Sequence, residues 1–161
     1  MMRSISRERL HKKPYVVLYA EDAKDIRERT ASSLRLLFEK VYTAEDGVQA
    51  MEEMRKHQID IVISDINMPN MSGIDLVKEI RTMSKTLPII ITTGHSEFVG
   101  VYENVYNIET LTKPYSIFDI IKVVNEMQNK NKIVEDSEAA YNRLEEGYEE
   151  AKRLLQLLDT K

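Results

Sequence analysis

The sequence predicts an α/β fold: a doubly wound, five-stranded parallel sheet followed by a long C-terminal helix. Three observations carry this. Short apolar runs rich in β-formers alternate five times with segments of helical periodicity. Four of the five runs end at an acid, a hydroxyl or a lysine. After Asn129 the pattern changes to one uninterrupted stretch with apolar or small residues three and four apart. Alternating strands and helices imply a parallel sheet covered on both faces, and the right-handed crossover rule leaves few topologies.

The elements follow in order. Residues 1–13 are basic, with Arg3, Arg7, Arg9, Lys12 and Lys13 against Glu8, and read as a loosely docked tail. The other reading of this tail is a contact with an acidic partner surface. From Pro14 the run YVVLYA (15–20) is the first strand. Residues 23–40 form a helix, with Ile26, Thr30, Leu34 and Leu37 at helical spacing. VYTA (41–44) is the second strand, and 46–57 a helix with Val48, Met51 and Met54 on one face. IDIVISD (59–65) is the third strand. The helix at 72–83 turns Ile74, Val77 and Ile80 inward. LPIIITT (87–93) is the fourth strand, followed by a weaker helix at 96–106 that contains Gly100. IETLT (108–112) is the fifth strand, shorter and more polar. The helix at 114–130 opens on Pro114, a residue suited to a first helical turn. The expected organisation is therefore a tail (1–13), a domain (14–129) and a C-terminal amphipathic helix (130–161).

Composition excludes several functions. The formal charge is −4, unlike the basic surplus of a general nucleic-acid binder. There is no cysteine, so disulfides, zinc-thiolate sites and cysteine nucleophiles are ruled out. No apolar run approaches the roughly 20 residues that span a bilayer. The basic N-terminus has no apolar stretch after it that would make a secretory signal. The expectation is a cytoplasmic protein with no membrane partner.

The strand ends carry the chemistry. The first ends at Glu21 and Asp22, the third at Asp65, the fourth at Thr92 and Thr93, and the fifth at Lys113. In an open parallel sheet ligands bind outside the carboxyl ends of the strands. If the first and third strands are neighbours, three carboxylates converge in one cleft. Such groups repel each other and persist when a cation neutralises them. An oxygen-only donor set favours a hard ion, Mg²⁺ above others. A carboxylate beside it can act as a nucleophile toward a phosphoryl group, with the ion and a lysine neutralising the developing charge. Singly, each residue has a plainer role as a helix N-terminal acid, a turn former, a β-former or a solvated lysine.

The motifs LYAED, VISDINMPNMSG, IIITTG and LTKP together resemble the four signatures of the response-regulator receiver domain, over roughly residues 14 to 129. The resemblance implies a flavodoxin-like strand order of 2-1-3-4-5 and a set of roles. Asp65 matches the phosphoacceptor, Asp22 the direct metal ligand and Glu21 the outer acid that holds metal-bound water. Asn67 matches the position whose backbone carbonyl completes the metal shell. Thr93 matches the switch hydroxyl and Lys113 the lysine that contacts the phosphoryl group. Pro69 and Gly73 match the turn after the phosphoacceptor. The family's switch aromatic is replaced by Thr110, which puts the usual coupling of threonine to ring in question. Tyr102 or Tyr106 could stand in, with packing on their own helix as the plainer role. His95 and Asn67 would lie on opposite rims of the cleft and could tune attack of water on the phosphoryl group. A solvated loop histidine is the alternative.

The implied function is a two-component response regulator that takes a phosphoryl group from a sensor histidine kinase or a histidine phosphotransfer protein. It would catalyse only its own phosphorylation and dephosphorylation, and would signal to a downstream protein target. A phosphorylation-independent scaffold with the same fold is the first rival. A hydrolytic phosphatase is the second, disfavoured because Asn67 stands where such enzymes commonly have an acid. In the last segment, Val134, Ser137, Tyr141, Leu144, Tyr148, Ala151, Leu155 and Leu158 form a heptad-like seam. Three readings of it remain open: a homodimer, a fold-back onto the same chain, or a signalling helix leading to a further module. Its acidic balance and lack of a basic recognition helix argue against DNA binding.

Overall fold

The computed structural model describes residues 12–95 and 99–158. The tail's first eleven residues, residues 96–98 of the fourth predicted helix and the last three residues lie outside the described set. The elements are β1 (Lys13–Ala20), α1 (Lys24–Leu37), β2 (Phe38–Ala44), α2 (Gly47–Lys56), β3 (Ile61–Asp65), α3 (Gly73–Met83), β4 (Ile89–Thr93), α4 (Val99–Tyr106), β5 (Glu109–Thr112) and α5 (Ile117–Leu158). All five strands pair in parallel in the order β2-β1-β3-β4-β5. The predicted fold class and strand order are those of the molecule.

Burial explains the pattern. Every residue of β3 and β4 is buried, as expected of central parallel strands covered on both faces. Leu18, Ala20, Val62, Leu76, Val77, Ile80, Ile89 and Ile91 share one cluster with Ala50 and Met51 of α2. β5, at the edge, is only half-buried, which accounts for its more polar sequence.

Three details differ from the expectation. The first helix stops at Leu37, and Phe38–Lys40 join β2. Phe38 is wholly buried and pairs with Lys13 of β1, so its ring gains more from the sheet than from another helical turn. Ile26 and Val48 are exposed rather than inward. Steps of three residues drift about 60° around a helix, so Val48, Met51 and Met54 cannot all share a narrow face, and α2 buries Ala50 and Met51 instead. In α1 the inward stripe is Ala31 and Leu34. Lastly, Pro114 does not open a helix: it follows a cis peptide, and α5 starts at Ile117. The cap is a reciprocal box in which Ser116 Oγ accepts the Asp119 N–H and Asp119 Oδ2 accepts the Ser116 N–H, at 3.3 and 2.7 Å.

The chain divides into two compact units, one ending at Ile120 and one beginning at Ile121. α5 continues through the second unit without a break at residue 130. There, residues 129–150 are exposed, including Ile133, Val134, Tyr141, Leu144 and Tyr148.

Candidate functional site

The register aligns the strand ends. Ala20 lies beside Ser64, Asp65 beside Thr92, and Thr93 beside Thr112, so the residues that follow emerge at one edge. Because β1 and β3 are neighbours, carboxylate oxygens of Glu21, Asp22 and Asp65 all lie within 4.8 Å of one another. Glu21 and Asp65 are buried and Asp22 is exposed. Lys113 reaches in from the end of β5, its Nζ 3.0 Å from Asp65 Oδ1 and 3.4 Å from Glu21 Oε2.

These contacts shift protonation. Burial pushes the Glu21 carboxyl above its ordinary range, against the Ala23 N–H and Lys113, which pull it down. For Lys113, burial disfavours the ammonium, but the hydrogen bond and charge of Asp65 and the charge of Glu21 outweigh it, and the balance is upward. The turn after β1 is held from outside the predicted motifs. Arg27 Nη1 donates to the Glu21 and Asp22 carbonyls at 2.6 and 3.0 Å. Nothing in the sequence singled out Arg27, because a charged residue on the first turns of a helix is ordinary.

The loop after β3 is just as constrained. The Ile66 N–H donates to the Thr92 carbonyl at 3.0 Å, and the Gly73 N–H to the Ile66 carbonyl at 2.9 Å. A side chain at Gly73 would run into the carbonyl oxygen of Asp65, so α3 can approach the end of β3 this closely only with glycine there. Thr93 Oγ1 accepts the His95 N–H at 3.0 Å, so the hydroxyl engages its own loop. Asn67, Thr93, His95 and Tyr102 line one cleft of about 380 Å³, which puts the two predicted rim residues at the same opening. Thr110 stands apart from the acids. Its hydroxyl donates to Glu103 of α4 at 2.5 Å. Tyr102 and Tyr106 stack at 6.4 Å and pack partly buried against the core.

The donor set suits one hard divalent ion. All the side-chain ligands are oxygens, and their spread is close to the roughly 4.2 Å that separates opposite oxygens around one Mg²⁺, leaving part of the shell to water. Without such an ion, the charges of two carboxylates face one ammonium and the third faces solvent.

An acidic cleft with one ammonium, at the carboxyl edge of a 2-1-3-4-5 parallel sheet, defines a receiver-type α/β signalling domain. Residues 17–125 match the family model of the response regulator receiver domain, and the chain belongs to that family. It is 37% identical over 114 residues to the transcriptional regulatory protein PdtaR of Mycobacterium tuberculosis (strain CDC 1551 / Oshkosh), covering 69% of this chain and 55% of that one. It is 41% identical over 81 residues to the sensor histidine kinase RcsC of Escherichia coli (strain K12), covering 50% of this chain but only 8% of the kinase. The match to response regulator MprA of Mycobacterium ulcerans is 27% over 129 residues, 77% of this chain and 54% of the relative. The chain thus spans a small part of the kinase and about half of these regulators. Among solved structures, the chemotaxis response regulator CheY4 of Vibrio cholerae aligns with a TM-score of 0.63 at 28% identity, over 71% of this chain and 99% of that one. The response regulator TrrA of Thermotoga maritima, in complex with Mg²⁺ and BeF, aligns with a TM-score of 0.61 at 26% identity, over 70% and 98%. Receiver domains are phosphorylated by histidine kinases and bind Mg²⁺ at an acidic pocket, and Glu21, Asp22 and Asp65 form such a pocket here. Among the described residues no helix is long and apolar enough to cross a membrane.

Proposed function

We propose that the chain is a response regulator that accepts a phosphoryl group on Asp65 from the phosphohistidine of a sensor kinase or phosphotransfer protein. The observation that carries this reading is the Lys113 ammonium 3.0 Å from Asp65, inside a cluster of three carboxylates. An Asp65 oxygen attacks phosphorus, the P–N bond breaks as the P–O bond forms, and a proton taken from solvent neutralises the departing imidazole nitrogen. Asp22 and Asp65 would hold Mg²⁺ directly, Glu21 through water, and Asn67 through its backbone carbonyl. When bound, the ion supplies positive charge to the transferring phosphoryl oxygens. Lys113 supplies the same from the protein side, and the Thr93 hydroxyl, which donates to the His95 carbonyl at 3.4 Å, would donate instead to a phosphoryl oxygen. His95 and Asn67 would set how easily water reaches the product.

The chain would catalyse only its own phosphorylation and dephosphorylation. Its output would be a protein contact, not DNA binding, made through the α4–β5–α5 face or the C-terminal helix. Val101 and Val105 of α4 are exposed apolar residues available for that. The seam on the second unit supports a homodimer through residues 130–161, beside a receiver at 14–129. One observation favours the rival, phosphorylation-independent reading: Thr110 is tied to Glu103 where a mobile ring would be needed. Incubation with Mg²⁺ and a small phosphodonor, or with beryllofluoride, decides between them. Wild type should gain one adduct and Asp65→Asn none; an unlabelled wild type beside a labelled control receiver would sink the proposal.

A further inference from the structure

We infer that Asp46 is a positioning residue for the acidic site: through Asn70 it holds the loop between Asp65 and α3 in the shape that presents the Asn67 carbonyl to the metal. The inference rests on the metal reading above and extends it to residues that no motif marks.

The loop has residues 66–72 in which to leave β3 and enter α3. Its own bonds close its base, Gly73 N–H to Ile66 carbonyl, and tighten its crown, Met71 N–H to Pro69 carbonyl at 2.7 Å. Neither fixes the tilt of the crown over the cleft. That is set from α2. Asn70 Nδ2 donates to Asp46 Oδ2 at 2.6 Å, across 24 residues of sequence, and the Gly47 N–H donates to the Met71 carbonyl at 3.1 Å. The two segments touch: a side chain at Gly47 would fall within 2.8 Å of Met71 Cγ, Cβ and carbonyl oxygen. The crown is therefore seated on the first turn of α2.

Asp46 is chemically suited to this double task. It is buried, and as the N-cap of α2 its Oδ1 accepts the Gln49 N–H at 2.8 Å. Its other oxygen is then free to accept from Asn70. A carboxylate offers two acceptor oxygens, whereas an amide offers one. Asn70 has φ 62°, in the left-handed region that asparagine tolerates better than most residues. In that conformation its amide makes the bond to Asp46.

Asn67 lies three residues from Asn70, so a change in the tilt of the crown carries to the Asn67 carbonyl. Mg²⁺ demands near-octahedral geometry at 2.0–2.1 Å, and small displacements of one ligand matter to it. Groups that orient a metal ligand from outside typically change affinity about 10- to 100-fold when lost.

The experiment uses the full chain and Mg²⁺ itself, titrated by calorimetry into wild type, Asp46→Ser, Asn70→Gly and the double swap Asp46→Asn/Asn70→Asp. Serine and asparagine cap a helix as well as aspartate, so α2 stays capped in both variants, but the single hydroxyl oxygen of serine is taken by the cap; glycine keeps the backbone conformation at position 70. Each single variant should bind Mg²⁺ about tenfold more weakly. The swap should recover to within about twofold of wild type, because the amide at 46 now donates to the carboxylate at 70. A lost helix cap alone would leave Asn70→Gly at wild-type affinity. If wild type binds and both single variants match it, the clamp is overturned and the metal reading stands. If wild type gives no heat of binding, the metal reading fails and takes the clamp with it.

Discussion

Replacing Lys113 by methionine isolates the electrostatics of the site. The ammonium stands 3.0 Å from Asp65 and 3.4 Å from Glu21. At an effective dielectric of about 20, each contact is worth roughly 5 kcal/mol in gross attraction. The net is much smaller. Taking the ammonium out of water costs several kcal/mol, and 32% of the Lys113 side chain remains in solvent, which screens both pairs. The expected loss is about 2 kcal/mol at pH 7.5 in metal-free buffer, below the 3–5 kcal/mol typical of a fully buried pair that loses one partner. For a chain of this size that lowers Tm by about 6 °C. The pH dependence has a definite sign. Burial already raises the Glu21 carboxyl, and losing Lys113 raises it further. A carboxyl with a raised folded pKa binds its proton more tightly in the folded state, so folding gains as pH falls through that value. The variant's deficit should therefore be full at neutral pH and shrink on acidification. The stabilisation by Lys113, whose own pKa is raised, should also fade as pH rises through its folded value. The assay is thermal unfolding by circular dichroism across pH, in a chelator and again in Mg²⁺. Added Mg²⁺ should raise the Tm of the variant more than that of wild type, because the ion takes over the neutralisation. A variant as stable as wild type without metal at pH 7.5, or a deficit that grows toward low pH, would refute the reasoning.

Gly73→Ala places a methyl against backbone, with Ile66 Cα at 2.9 Å and Asp65 C at 3.0 Å, neither of which can move like a side chain. It should cost about 1–3 kcal/mol in urea unfolding and lower beryllofluoride labelling; an unchanged midpoint counts against the packing argument. Arg81→Met removes the buried guanidinium that donates to the carbonyls of Tyr106, Asn107 and Ser84 at 2.7, 2.9 and 3.1 Å. Three stranded carbonyls should cost about 2–4 kcal/mol and speed amide exchange through residues 99–110, and protection equal to wild type would contradict this. Asp46 is held below the usual carboxylate range, first by the Gln49 N–H and then by the Asn70 amide. Its stabilisation is present above the unfolded carboxylate pKa and is lost as pH falls through the folded value; Asp46→Ala should flatten the acid limb of the stability curve, and parallel limbs would exclude the effect. His95→Ala should change the rate at which phosphorylated protein decays, and identical decay would return His95 to a plain loop residue.

The acidic site was legible because its residues lie at the ends of strands. A parallel sheet sends every strand's carboxyl end to one edge, so acids and a lysine that end successive strands must meet there. Glu21, Asp22, Asp65 and Lys113 meet for that reason, given that β1 and β3 are neighbours. The sequence pattern starts the last helix at Pro114, yet α5 begins at Ile117, on a capping box, SIFD, that is itself written in the sequence. The extra strand residues Phe38–Lys40 were hidden because phenylalanine suits either state locally, and only burial in the sheet chose between them.

By itself, then, the sequence determined the alternation of elements, the chemistry at the strand ends and the family. These depend on periodicity and on residue type, which are local. The tertiary structure alone decided that Arg27 braces the turn at Glu21, that Asp46 reaches Asn70 across 24 residues, and that Thr110 is bonded to Glu103. Such pairings depend on where chain segments lie to within an ångström. A hydrogen bond needs that precision, and no pattern along the chain encodes it.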